Sequence, residues 1–303
     1  AAELETTSVD ALAQSARKQR GNWAAIVKAG GKIHFVTDAA RSYPIHYAAL
    51  GDTLHVSSRM EDFRGAVPYR RNEQATHEFL HSGWVLGSDT LIEGVSTVRS
   101  STIHTFDAPG SSAEHPYIDY VPSARLEESS ADYLSRFASA LRRSYLDLLE
   151  AAGDRQLIVP LSGGVDSRIQ LAVLADVGAP HVATFTYGRP DSAEARVSKE
   201  IAKQAGRPWF FIETTEDAIR SAWQDRDNNE FLEHAWSGNA PPHIQDWFAL
   251  RELCSVEGID PNGIIIPGHT AIKTSHLGRF SDEATPMSRE DMVELLDARH
   301  LNL

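Results

Sequence analysis

The stretch LIVPLSGGVDSRIQLAVL, residues 157–174, constrains the fold more than any other part of the chain. A short apolar run leads in, and a longer apolar run leads out. Between them, Ser162, Gly163, Gly164, Val165, Asp166 and Ser167 leave room only for a tight turn. A buried strand that turns at once into a buried helix is half of a βαβ unit, and such units build parallel sheets. The neighbouring sequence repeats the alternation. HVATFTYG and PWFFIET read as strands, SAEARVSKEIAKQAG as the helix between them, and GIIIPG at 263–268 as a further buried strand. That helix opens on a capping-box arrangement from Asp191 to Glu194 and stops at Gly206. A long helix comes first, in SADYLSRFASALRRSYLDLLEAAG, with a serine cap and a closing Gly153. The expected fold class here is α/β, a doubly wound parallel sheet.

The first third of the chain has another texture. NWAAIVKAGGKIHFVTD carries two apolar runs around Gly30-Gly31, and YPIHYAALGDTLHVSS repeats the pattern around Gly51-Asp52. Both are hairpin signals, so a mostly antiparallel β layer is expected, with ATHEFLHSG as its main helix. The change of texture puts a boundary near residue 122, giving domains 1–122 and 123–303, and 303 residues suffice for two. The formal net charge of −13 argues against nucleic acid and against an anionic membrane as partners. No apolar run approaches the length of a membrane span, and the first twenty residues lack the apolar core of a signal peptide. The single cysteine, Cys254, excludes an internal disulfide framework; it reads as a buried, inert thiol, and a cytoplasmic location is expected.

The turn at 162–167 has its own chemistry. In open parallel sheets, ligands sit where strand ends turn into helices. Gly163 and Gly164 permit positive φ and close approach of the backbone, and the first N–H groups of the following helix form an anion site. Ser162 and Ser167 add hydroxyl donors, which together make a phosphate or pyrophosphate cradle. Asp166 beside bound phosphate requires a cation between them, and Mg²⁺ commonly joins one or two carboxylates to nucleotide phosphates. The Lys-Ser/Thr pair of the Walker loop is missing, and Arg168 follows Ser167. The plain alternative is a tight strand–helix turn with Asp and Ser as caps.

This hexapeptide resembles the SGGxDS pyrophosphate loop of the ATP pyrophosphatases, which cleave ATP between its α and β phosphates. The first third narrows the resemblance. Asp38, Arg41, Pro44 and Tyr47 keep the outline of the Asp-Arg-x-Gly-x-x-Pro-Leu-Tyr-Tyr segment of class II glutamine amidotransferases. Such a layer followed by the loop is the order found in the asparagine synthetase B-like family. The resemblance implies an Ntn-type amidotransferase-like layer and a PP-loop synthetase domain. It implies ATP and Mg²⁺ as cofactors, Asp166 as catalytic and metal-binding residue, and Leu161, Ser162, Gly163, Gly164, Asp166 and Ser167 around the nucleotide and its pyrophosphate. Thr186 and Tyr187 would pass the adenine, and Pro267, Gly268 and His269 would face AMP. A homodimer is a further implication.

The implied activity is an AMP-forming carbon–nitrogen ligase. It adenylates a small-molecule or peptide carboxylate, releases pyrophosphate and transfers the acyl group to ammonia or an amine. Three departures bear on it. Ala1 heads the sequence where the family's glutaminase has a cysteine, so no glutaminase activity of its own is expected. Around PGHTAIKTSHLGRF no Asp or Glu precedes Asp282, which leaves the second Mg²⁺ carboxylate unassigned. Lys273 is the nearest candidate for the family's later lysine. These departures leave two alternatives: an intramolecular cyclase of the β-lactam synthetase or lasso-peptide type, and a non-catalytic relative that binds a nucleotide or a partner.

Overall fold

A computed structural model describes residues 8–108, 111–119, 127–268, 288–291 and 293–294. The chain divides into two compact units: Ala1–Arg125 with Asn229–Pro242 and Met287–Leu303, and Leu126–Asn228 with His243–Pro286. The boundary expected at 122 lies outside the described residues.

The first unit begins with helix α1 (Val9–Lys18), capped by Ser8, whose hydroxyl accepts from Ala11 N. Its buried face is Leu12, Ala13 and Ala16. Strands β1 (Ala24–Ala29) and β2 (Lys32–Thr37) form a hairpin, as do β3 (His46–Leu50) and β4 (Thr53–Ser57). At the first hairpin Gly30 and Gly31 have φ of 57° and 77°, values that open the turn to glycine and few other residues. Helix α2 (Glu73–Ser82) and strands β5 (Ser96–Thr97), β6 (Thr102–Ala108) and β7 (Ser111–Pro116) complete the unit. Two antiparallel sheets result, β1-β2-β6-β7 and β4-β3-β5. Alternation along β2 shows how they pack. Phe35 joins Ile45, Val98 and Phe106 between the two sheets, while Val36 faces the other way, against Leu12, Ala13 and Ala16 of α1. Asp38 organises the turn after β2, accepting from the backbone N–H groups of Trp23, Ala40 and Ser42. Arg41 in that turn is left-handed, φ 54°.

The second unit opens with α3 (Ser130–Ala152), capped by Ser129 and closed by Gly153. Then come β8 (Leu157–Pro160), α4 (Val165–Asp176), β9 (Val182–Gly188), α5 (Ala193–Gln204), β10 (Trp209–Glu213), α6 (Glu216–Trp223), the start of α7 (Arg226–Ala235), whose residues from Asn229 on are counted with the first unit, α8 (Trp247–Leu253) and β11 (Ile264–Ile265). The sheet is parallel, in the order β10-β9-β8-β11. Leu157 and Val159 face a core closed by α3, α4 and α5. Ile158 points the other way, into a core with Ala249 and Leu253 of α8. Helices thus cover both faces, and the strands read as continuous apolar runs for that reason.

Three local expectations change. Ser192, not Asp191, caps α5, because its hydroxyl is the one that reaches Ala195 N, at 3.1 Å. GIIIPG is a strand for only two residues and is half-buried, since it pairs with β8 alone. Cys254 is exposed, just past the end of α8. No described helix is long and apolar enough to cross a membrane.

Candidate active site

Strand β8 ends at Pro160, and α4 starts at Val165. Neither Gly163 nor Gly164 has positive φ; Gly164 is extended, at φ −73° and ψ 166°. Their smallness matters for space instead. A Cβ on Gly164 would lie 3.1 Å from Ser162 Oγ, and one on Gly163 would meet the Val197 side chain at 3.6 Å. Gly164 N donates to Ser162 Oγ at 3.1 Å, and Ser162 N donates to Ser167 Oγ at 3.2 Å. The Ser167 hydroxyl lies 3.3 Å from Ser162 O and 3.1 Å from Ser162 Oγ. Ser167 is buried, so its hydroxyl shapes the loop, and Ser162 is the serine better placed to serve a ligand. Gly164 at the N-cap offers no side chain to the first N–H groups of α4, which leaves that end of the helix dipole for an anion.

Leu161, Ser162, Gly164, Asp166, Ser167, Thr186, Tyr187 and Gly268 line one cavity of about 270 Å³, wholly within the second unit. Gly163 stands behind it, against Val197, and Pro267 is held through its carbonyl, which accepts from Gln170 Nε2 at 2.8 Å. His269, Lys273 and Asp282 lie outside the described residues. The Thr186 hydroxyl is tied into the scaffold. It donates to Leu161 O at 2.7 Å, lies 2.8 Å from Ser198 Oγ, and accepts from Trp209 Nε1 at 3.0 Å. It therefore fixes the strand end that carries the loop.

Pro160, Phe185, Glu194 and Asp246 complete the lining and were not among the expected site residues. Glu194 follows β9 directly on α5, so the rule of strand ends could have nominated it. Asp246 had no such signal, because it is brought in from 59 residues beyond Tyr187. It stands at the N-cap of α8 yet makes no cap bond; its carboxylate accepts from the Tyr187 hydroxyl instead. Burial, and then Asp246, push the Tyr187 phenol well above the usual tyrosine range, so it is neutral in water at any ordinary pH. His243 Nδ1 lies 3.5 Å from the other Asp246 oxygen.

The cavity lining combines a helix N-terminus with carboxylates. The uncapped start of α4 and the Asp166 carboxylate of its first turn line it together, and Glu194 and Asp246 add two further carboxylates. Among the described residues, no group of three or more His, Cys, Asp or Glu is disposed to hold a metal ion. One carboxylate with phosphate oxygens completing the shell is the usual mode for Mg²⁺, and Asp166 fits it.

Three comparisons bear on the chain. No curated protein matches it. Among solved structures, similarity is found to an NH3-dependent NAD synthetase from Campylobacter jejuni, at 13% identity and a TM-score of 0.27 over 30% of this chain and 41% of that one. A glutamine-dependent NAD+ synthetase from Acinetobacter baumannii is similar at 15% identity and a TM-score of 0.25, over 71% of this chain and 46% of that one. A tRNA methyltransferase subunit from Methanocaldococcus jannaschii is similar at 16% and 0.23, over 49% and 65%. The chain thus covers less than two thirds of each. The stretch 136–236, a third of the chain that contains the loop, β8, β9, β10 and the helices between them, matches the asparagine synthase family model.

Proposed function

We propose that the second unit is the synthetase part of an ATP-using carbon–nitrogen ligase, which activates a carboxylate with AMP and passes the acyl group to ammonia or an amine. One observation carries this reading. The uncapped start of α4 and the Asp166 carboxylate meet in one cavity at the C-terminal end of a parallel sheet, inside the stretch that matches asparagine synthase. A substrate carboxylate oxygen would attack the α-phosphorus of ATP, and the bond to the bridging oxygen would break, releasing pyrophosphate. The nitrogen would then attack the acyl carbon and lose a proton, while AMP leaves with the electron pair of the broken C–O bond. The loop N–H groups and Ser162 would hold pyrophosphate, and Thr186 and Tyr187 would border the nucleotide. Asp166 would hold Mg²⁺, which when bound offsets the charge between carboxylate and phosphates. The chain's own task is positioning and charge neutralisation. The face-to-face antiparallel sheets of the first unit, with α1 outside, support an amidotransferase-like layer there.

The test is ATP–pyrophosphate exchange over a panel of carboxylic acids. At least one acid is expected to support exchange, and Asp166→Ala to lower it by about a hundredfold. Exchange that survives Asp166→Ala would remove Asp166 from its role. Nucleotide binding without exchange on any acid would overturn the ligase reading.

A further inference from the structure

The sheet order turns back at β8: β9 and β10 lie on one side of it and β11 on the other. The C-terminal ends of β8 and β11 therefore flank a crevice of the kind that takes ligands in open parallel sheets. The β11 side of this crevice is weakly built. β11 has two residues, and backbone pairing ends where Ile266 N donates to Ile158 O at 2.9 Å. Pro267 has no N–H with which to extend the ladder. Yet Gly268, one residue on, lines the cavity, and a Cβ there would lie 3.6 Å from Ser167 N and 3.8 Å from Asp166 Cβ.

Gln170 closes this gap. It lies one helical turn after Asp166 on α4 and shares its face, and its Nε2 donates to Pro267 O across the crevice at 2.8 Å. A carbonyl only accepts, so the amide orientation follows from the partner. The Gln170 Oε1 is buried and meets no donor among the described residues. We propose that Gln170 is a positioning residue, which holds Pro267 and Gly268 over the start of α4 and so sets the cavity wall beside Asp166. The consequence for nucleotide rests on the function proposed above; the positioning itself does not.

Two variants test it. Q170L keeps the volume and removes the donor. Q170E keeps the shape but presents an acceptor to the carbonyl until the new carboxyl is protonated. In the ligand-free protein, amide hydrogen exchange at Ile266, whose N–H donates to Ile158 O beside the held Pro267, is expected to quicken about fivefold in both, the equivalent of one ordinary hydrogen bond. For Q170E, the ratio to wild type should return toward one as pH falls through the carboxyl's titration. In pyrophosphate exchange, the KM for ATP should rise by a similar factor with kcat within about twofold. Unchanged exchange at Ile266 in both variants overturns the proposal, and so does faster exchange with an unchanged KM. A wild-type protein that neither binds nor turns over ATP overturns the ligase reading instead, and the Ile266 measurement still decides the role of Gln170.

Discussion

Gly164 serves the loop by leaving room for a hydroxyl, not by backbone freedom. At φ −73° any residue would fit the backbone, but a Cβ would press within 3.1 Å of the Ser162 oxygen that accepts from Gly164 N. At Gly163 the corresponding contact is an ordinary 3.6 Å, with Val197. The two adjacent glycines should therefore respond differently to the same change. Gly164→Ala is expected to raise the KM for ATP about tenfold, as when one charge-assisted hydrogen bond is lost, and Gly163→Ala less than about twofold. Neither should lower the thermal midpoint by more than a few degrees, because alanine at a compatible φ also restricts the unfolded chain. Steady-state pyrophosphate exchange with both variants is the check, and equal effects would contradict this division of roles.

Elements, rather than single contacts, hold the site's parts together, and Thr186 is where several meet. From β9, its hydroxyl reaches the end of β8 through Leu161 O, α5 through Ser198, and β10 through Trp209 Nε1. Thr186→Val keeps the shape and leaves the indole N–H and the Leu161 carbonyl buried without that partner. It is expected to cost about 2–3 kcal/mol in urea unfolding, well above an ordinary surface change; a loss below about 0.5 kcal/mol would mean water or neighbouring groups replace it. This scale also shows what the sequence made legible. β8, α4, β9, α5 and β10 were readable because burial on both faces writes each strand as an apolar run, and glycines and small polar caps punctuate them. The loop was readable because its residues are contiguous. α1 was missed because its ten residues are polar on balance and Leu12 is their one large buried side chain, and β11 was overextended because an apolar run does not show where pairing stops. Asp246 and Gln170 were invisible for a different reason: each acts through a partner 59 or 97 residues away, and only the fold brings them together.

At the scale of the whole molecule, the two units carry different ionisable groups in their cores, and pH should separate them. Burial, aided by the Arg41 guanidinium, pushes the His46 imidazole down to about 4, and its Nδ1 has no hydrogen-bond partner among the described residues. Burial also lowers His34 and His104, in the latter case against the opposing pull of Glu114. All three belong to the first unit. A depressed histidine means the unfolded chain takes up the proton first. The stability that neutral His46 contributes is whole above about pH 6.5, declines as pH falls toward 4, and levels off below. At about 1.4 kcal/mol per pH unit, the interval from 6.5 to about 4 amounts to roughly 3 kcal/mol. That is a large share of the stability of an ordinary domain. Acidification through this window is therefore expected to raise amide exchange in β2, β3 and β6 more than in β8 and β9, measured relative to intrinsic rates at each pH. His46→Phe, which cannot titrate, should flatten the decline even if it lowers the stability at neutral pH. Exchange that rises equally in both sets of strands, or a slope unaltered by His46→Phe, would place the pH sensitivity in groups other than these buried imidazoles.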